Sequence, residues 1–415
     1  MDIAMVSEHA SPLAGPGGAD AGGQNVHVRE LGRGLAAAGH RVRVYTRRDS
    51  PELPDVVEED GVEVHHVTAG PASRVPKDRL VGHVPELAAG LERSWRADRP
   101  DLVHGHFWMS GLAALAAVRE LDVPVVQTFH ALGHVKRRHQ GADDTSPAGR
   151  VPAEQVIARQ VDRVVATCED ELFELLRMGA RRHSVSIVPC GVDVDAFTPH
   201  GPSLNRTDRP RLVTIGRLVP RKGVGDVLTA LARVPAAELV VGGGPPDGQD
   251  PNSDPELREL HRMAVEAGVA DRVRFLGAVP RADVPALLRS ADAVVCAPWY
   301  EPFGMVPLEA MACGRAVVAT AVGGMRDTVV DGVTGVHVPP RQPRALAAAL
   351  RDLVAEPARM AAYGIAGRDR VLARYSWPRI ASATEAVYLD VLDRRSARKG
   401  MADARVGEQR VEHDA

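Results

Sequence analysis

Two doubly wound α/β domains facing each other across a cleft are what this chain predicts, and three observations carry the prediction. Short β-branched runs alternate with Ala/Leu-rich helical patterns, which implies parallel sheets with helices on both faces. The alternation pauses after "PCGVDVDAFTPHGPSLNRTDRPR" and then starts again. The length, 415 residues with 45% apolar and 25% charged, exceeds one ordinary core and supplies material for two.

In the first half, "DIAMVS", "RVRVYT", "VEVHHV", "LVHGH", "VPVVQTFH", "RVVATC" and "VSIVPCG" read as strands. Helical segments lie between several of them, such as "VHVRELGRGLAAAGH", closed by Gly39 in a C-cap position. The stretch from Thr198 to Pro210 is rich in Pro, Gly, Asn and Asp and has no periodicity, so it reads as a linker. "RLVTIG", "AELVVGG", "VRFLG", "AVVCAP", "AVVAT" and "GVHV" form the second set of strands. In "SWPRIASATEAVYLDVLDRR", Ser376 suits an N-cap and Pro378 the first turn, and Ile380, Thr384, Val387, Tyr388, Val391 and Leu392 share one helical face. The expected division is residues 1–200, 201–375, a helix at 376–398 that crosses back to the first domain, and a charged, disordered tail at 399–415.

The net charge of −3, with no long run of one sign, argues against nucleic-acid binding, which needs a basic surface. Cys168, Cys190, Cys296 and Cys313 have no C-x-x-C spacing and sit in apolar segments, as expected of a reduced cytoplasmic protein. "MDIAMVSEHA" has no basic start and reads as a strand rather than a signal peptide. No stretch approaches 18 apolar residues, so no membrane span is expected.

Several segments carry chemistry. "GPGGADAGGQN" lies between the first strand and first helix, where Gly22 and Gly23 suit close backbone approach to an anion or a plain tight turn. Its spacing does not fit G-x-G-x-x-G, and "GRGLAA" at Gly32 lies inside a helical pattern, so a nicotinamide fingerprint is absent. Asp193 and Asp195 in "DVD" follow a domain end, where turn and capping roles outweigh metal chelation. "HGH" puts His104 and His106 on the same face of a strand, without a carboxylate or Cys partner at metal spacing.

In "TIGRLVPRKG", Arg217 and Lys222 follow a strand end, a planar fork and a point charge suited to a diphosphate or simply to a solvated loop. "VVGGGP" adds Gly242, Gly243 and Gly244 at another strand end. In "EPFGMVPLEAMACG" a helix is expected from Met305, with Pro307 in its first turn and Gly314 after its end. Glu301 then precedes that helix and Glu309 lies one turn inside, while the backbone of Phe303, Gly304, Met305 and Val306 opens toward an anion.

In this order the motifs resemble the retaining glycosyltransferases of the GT-B fold, family 4. "EPFGMVPLE" is the E-x7-E of that family, accompanied by "GRLVPRKG", "PCGVDVDAF", "VGGGP", "LGAVPRADVPALLRSAD" and "AVGGMRDTVVDGVTG". "GADAGGQNVHVRELGRGLAAAGHRV", "HGHFWMSG" and "TFHALGHVKRRH" extend the resemblance over residues 2–393, nearest the branch with mycothiol-pathway and sucrose-phosphate synthase-like enzymes. The resemblance implies two Rossmann-like domains, a nucleotide-sugar donor, probed first as UDP-glucose or UDP-N-acetylglucosamine with GDP-sugars open, and no cofactor or metal. Arg217 and Lys222 would neutralise the leaving diphosphate, Glu309 hold the ribose and Glu301 the transferred sugar. His130 would touch that sugar from the other domain, and Gly23 would approach the phosphates. The two Glu are then ligand hooks rather than an acid–base pair.

On the acceptor side the resemblance implies Asn25, Lys77, Phe107 and Arg150. In the mycothiol branch an inositol phosphate is gripped by Lys, Arg, Tyr and Thr. Here Phe107 stands where that branch has Tyr, and Ala131 where it has Thr. A neutral or amino-bearing cyclitol, a sugar or a small natural product therefore fits at least as well. Lys136, Arg137 and Arg138 read as a solvated loop rather than an anion or membrane site. A sugar-nucleotide 2-epimerase of the same architecture and a catalytically silent binder are the alternatives, and a homodimer stays open.

Overall fold

The order of the strands decides where a ligand can sit. In the computed structural model, which describes residues 1–14, 22–245 and 254–413 with side chains as far as residue 397, two separate sheets form. The first contains β1 (Asp2–Val6), β2 (Arg41–Arg47), β3 (Val56–Glu59), β4 (Val62–Val67), β5 (Leu102–His106), β6 (Val125–Thr128), β7 (Arg163–Ala166) and β8 (Val185–Ile187). Its order is β3-β4-β2-β1-β5-β6-β7-β8, parallel except for β3. The second contains β9 (Arg211–Ile215), β10 (Glu238–Gly242), β11 (Val273–Phe275), β12 (Ala293–Cys296), β13 (Ala316–Thr320) and β14 (Gly335–Val338). Its order is β11-β10-β9-β12-β13-β14, parallel throughout.

Each sheet reverses its winding once, between β1 and β5 in the first and between β9 and β12 in the second. Ligands of such sheets bind beyond the carboxyl ends of the strands at these switch points. Ile3 pairs with Val42 on one side and Leu102 on the other, and Ile3, Ala4, Met5 and Val6 are fully buried. That is why the central strands read as continuous apolar runs rather than alternating ones. Every strand expected from the sequence is present. The unexpected one, β3, is an antiparallel edge strand of sequence "VVEE" and mostly exposed, so it carries neither an apolar run nor an apolar face.

The expected linker, residues 198–210, contains no helix or strand. All four cysteines are buried and unpaired. Residues 15–21 of the first Gly-rich segment lie outside the described residues.

The last helix, Trp377–His413, returns to the first domain. Trp377, Ile380, Ala381, Tyr388 and Val391 join Ile3, Val28, Leu31 and Val165 in one core. The helix packs on helix Gly23–Ala37 closely enough that a Cβ on Gly34 would meet the Ala381 Cβ at 2.8 Å. Polar pairs lock the same register: His40 with Glu385, Arg163 with Asp390 and Arg395 with Asp162. Contrary to expectation, the helical backbone does not end near residue 398 but continues to His413. From Lys399 on, the chain is rich in Ala, Arg and Glu and has no proline to stop it.

Trp377 also covers the backbone at Gly191, where an added Cβ would lie 2.6 Å from its ring. Replacing Trp377 with Ala should cost about 3–5 kcal/mol of stability, the usual range for a buried aromatic. Urea unfolding of the Trp377→Ala variant checks this, and a loss below about 1 kcal/mol would contradict the packing role.

Candidate active site

The carboxyl ends of β9 and β12 bring the first charges together. After β9 the chain turns through Gly216 and Arg217 into the short turn Pro220–Lys222. Gly223, at φ 70°, lies so close to the backbone that a Cβ would meet the Ala297 carbonyl oxygen at 1.9 Å. Only glycine permits that approach. It brings Lys222 beneath the loop after β12, where its Nζ pairs with a carboxylate oxygen of Glu301. The Trp299 amide donates to the Arg221 carbonyl at 2.8 Å and ties the two loops. Burial alone would raise the Glu301 carboxyl, but Lys222, then Arg221 and Arg217, outweigh it and hold it below the usual carboxylate range.

Helix Met305–Ala312 starts from Gly304, at φ 88°, and ends before Gly314, as the sequence predicts. Glu309 is buried one turn inside and accepts from Arg281, whose guanidinium stacks on Phe197 at 4.6 Å. Arg281 was missed as a site residue. It lies in the "LGAVPRADV" segment after β11, and its signal was the same one that marked Arg217: a cation shortly after a strand end.

The opposite wall comes from β5 and β6. Phe107 (φ 77°) and His130 (φ 60°) both take left-handed backbone just past their strand ends. Non-glycine residues there carry strain of order 1–3 kcal/mol, of a kind that gathers at functional sites. His130 Nε2 and His106 Nδ1 are 3.0 Å apart and share a hydrogen bond. His104 bonds Tyr388 Oη at 2.6 Å through Nδ1 and Thr128 Oγ1 at 2.9 Å through Nε2. His27 lies edge-on to His130 with centroids 5.0 Å apart. The sequence placed His104 and His106 on one face but gave no sign that His27 and His130 would join them.

The walls enclose a cleft of about 620 Å³. It is lined by Gly22, Gly23, Asn25, Lys77, Phe107 and His130 from the first domain. Arg217, Lys222, Glu301, Phe303, Gly304, Met305, Val306 and Glu309 line it from the second. The two domains meet at its rim: a Cβ on Gly23 would lie 3.3 Å from Met305 Sδ, and the Glu169 amide donates to Asp327 at 2.7 Å. Lys77 Nζ sits 4.0 Å and the Arg150 guanidinium 4.9 Å from the Phe107 ring centre.

Three expected residues stand differently. Gly243 does not line the cleft; its amide donates to the Gly277 carbonyl at 2.7 Å and it packs on Gly216, while of the three successive glycines the buried Gly242 is among the lining residues. Arg150 lies behind Phe107, and its contacts are with the protein. Asn25 faces the cleft but acts as a cap: its Oδ1 accepts from the Gly22 amide at 3.1 Å and its Nδ2 donates to the Ser11 carbonyl at 3.0 Å. His9 is a lining residue that the sequence reading missed. Its Nδ1 lies 2.6 Å from Glu8 Oε2 and its ring meets Phe107 edge-on at 4.9 Å.

Asp193 accepts from the amides of Asp195 and Ala196, the turn role expected of it. No group of three or more His, Cys, Asp or Glu side chains among the described residues is arranged to hold a metal ion. No helix among them is long and apolar enough to cross a membrane.

Two facing doubly wound domains, with cations and carboxylates at the strand ends of one and an imidazole from the other, define a nucleotide-sugar-dependent glycosyltransferase of the GT-B fold. Residues 21–196 match the family described as Glycosyltransferase Family 4, and residues 198–370 that described as Glycosyl transferases group 1. The chain belongs to the GT-B glycosyltransferases of family 4. It is similar to the D-inositol 3-phosphate glycosyltransferase of Xylanimonas cellulosilytica, 38% identical over 95% of this chain and 98% of that protein. The enzyme of the same name from Kineococcus radiotolerans is 39% identical over 97% and 98%. Among solved structures it resembles a sucrose-phosphate synthase from Thermosynechococcus elongatus, with TM-score 0.86, 31% identity, and 95% and 99% of the two chains covered. A transferase thus stands in place of the epimerase and silent-binder alternatives.

Burial lowers the imidazoles: His27 to about 4 and His104 to about 3, with His106 and His130 well below the ordinary 6.5. The folded values lie below the unfolded one, so stability from these neutral rings is complete above about pH 6.5 and lost as pH falls toward the folded values. Histidine-selective NMR should therefore show no titration of His27 or His104 between pH 8 and about 5.5. An inflection near the ordinary value would contradict their burial.

Proposed function

We propose that the chain moves a hexose or N-acetylhexosamine from a UDP-sugar, with retention and without a metal, to a hydroxyl of a small cyclitol. The observation that carries this reading is the pairing of Lys222 with Glu301 on the cleft floor, beside exposed Arg217 and across from His130. A diphosphate seated over Arg217 and Lys222 meets charge-assisted donors without a metal ion. Glu309, buried at the first turn of its helix, offers a fixed acceptor for a ribose diol.

The depressed Glu301 supports the reading that it is a hook. A carboxyl kept ionised at neutral pH has no proton to give a leaving group, so the acid–base pair of glycoside hydrolysis does not fit. In the transfer, the bond from the sugar C1 to the diphosphate oxygen breaks. The acceptor oxygen then bonds to C1 on the same face, and the acceptor's proton passes to the departing phosphate. Lys222 and Arg217 stabilise the charge that develops on that oxygen. His130, neutral at physiological pH, contributes a hydrogen bond to the transferred sugar. The names of the curated relatives support a cyclitol acceptor.

Lys222→Ala should lower turnover at least ~10²-fold while the fold survives, the usual effect of removing one electrostatic donor. Arg221 and Arg217 stay near enough to Glu301 to offset the lost charge. UDP release from UDP-glucose and UDP-N-acetylglucosamine, with myo-inositol as acceptor and EDTA present, tests both points. Near-normal turnover in the variant, or loss of wild-type activity in EDTA, would overturn the reading.

A further inference from the structure

Apart from Lys77, the acceptor end of the cleft presents few groups that suit a phosphate ester. Arg150 is not one of them. Its Nε donates to Glu154 at 2.7 Å, its Nη2 to the Ala131 carbonyl at 2.7 Å and its Nη1 to Ser146 at 3.2 Å. Glu154 is fully buried and Arg150 nearly so, and breaking such a pair leaves an uncompensated charge in the interior. Three of its five N–H donors, one on each nitrogen, are thus committed to the protein, and Arg150 packs on Phe107 without lining the cleft.

The wall in front of Arg150 offers no replacement. Phe107 presents a ring without a hydroxyl, held between the Lys77 ammonium and the Arg150 guanidinium. Ala131, next along the cleft, presents a methyl group, and its carbonyl is taken by Arg150. Beside them, the Glu8 carboxyl backs His9, and its second oxygen, Oε1, is buried without a partner among the described residues. A phosphate dianion on this wall would meet Lys77 but also the field of a desolvated carboxyl. A hydroxyl meets no such opposition: it can accept from the Lys77 ammonium and bond the His9 imidazole.

We propose that the acceptor is an unphosphorylated polyol, a neutral cyclitol or sugar, selected by the Phe107–Ala131 wall against the corresponding phosphate ester. This rests on the transfer reading above and names the substrate class of that site. Phe107→Tyr and Ala131→Thr together place two hydroxyl donors on the wall without changing its charge.

The test uses the full chain with UDP-glucose and UDP-N-acetylglucosamine in parallel, comparing myo-inositol with D-myo-inositol 3-phosphate by UDP release. kcat/KM should favour myo-inositol by at least ~10-fold, and the double variant should move the ratio toward the phosphate ester by at least ~10-fold. A smaller wild-type preference, or a preference for the ester, overturns the proposal. Release of UDP with neither compound would mean that cyclitol transfer itself is wrong. Calorimetric titration of D-myo-inositol 3-phosphate and of inorganic phosphate onto the UDP-saturated enzyme then decides alone. Wild-type binding tighter than ~1 mM overturns the proposal; binding that weak or weaker, strengthened in the double variant, upholds it.

Discussion

A site for a nucleoside diphosphate has to hold several cations close together before the ligand arrives, and the cost of keeping them shapes everything around them. In this chain the cost is met by carboxylates: Lys222 rests on Glu301 and Arg281 on Glu309. Each pair joins loops or helices from different strand ends of the second sheet. The geometry therefore holds only while Gly223 stays pressed on Ala297 and the helix begins at Met305. The depressed Glu301 follows from the same arrangement.

The sheet order was legible because a parallel sheet buried on both faces needs continuous β-branched runs, and runs such as "DIAMV", "RLVTI" and "AVVAT" have no other use. The short acidic edge strand at Val56 was not legible, because exposure on an edge removes that demand. The helix between Met305 and Ala312 could be bounded to the residue by glycine and proline alone. In the site, residues that follow strand ends with an unusual side chain were found, among them Arg217, Lys222 and Glu301. Partners at long sequence distance were not. Arg281 lies 28 residues from Glu309, and Arg150 spends its charge on Glu154 and Ala131. Nothing in local spacing separates a cation aimed at a ligand from one aimed at a neighbour. Gly243 failed for a related reason: three successive glycines say that the backbone approaches something closely, and for this one the something is Gly216.

The first domain carries its own constraint. Four imidazoles, His27, His104, His106 and His130, meet under the cleft wall, and all are kept neutral by burial. Packed uncharged, they form a rigid polar floor for the strained His130, with His104 anchored by Thr128 and Tyr388. The cleft-lining His130 is thus positioned by its hydrogen bond to His106, whose ring packs 4.1 Å from that of His104, itself bonded to Tyr388 of the last helix.

That dependence matters during synthesis. Tyr388 lies 284 residues beyond His104, and Asp390 lies 227 beyond Arg163. The ribosome therefore releases the first domain long before the helix that completes its core, and until then Val28, Leu31 and Val165 lack their covering. The nascent domain has to wait in an open form while the whole second domain is made. The same connectivity governs chimeras. A hybrid that swaps everything after residues 198–210 would import a foreign closing helix, so it must return to the native sequence before Trp377.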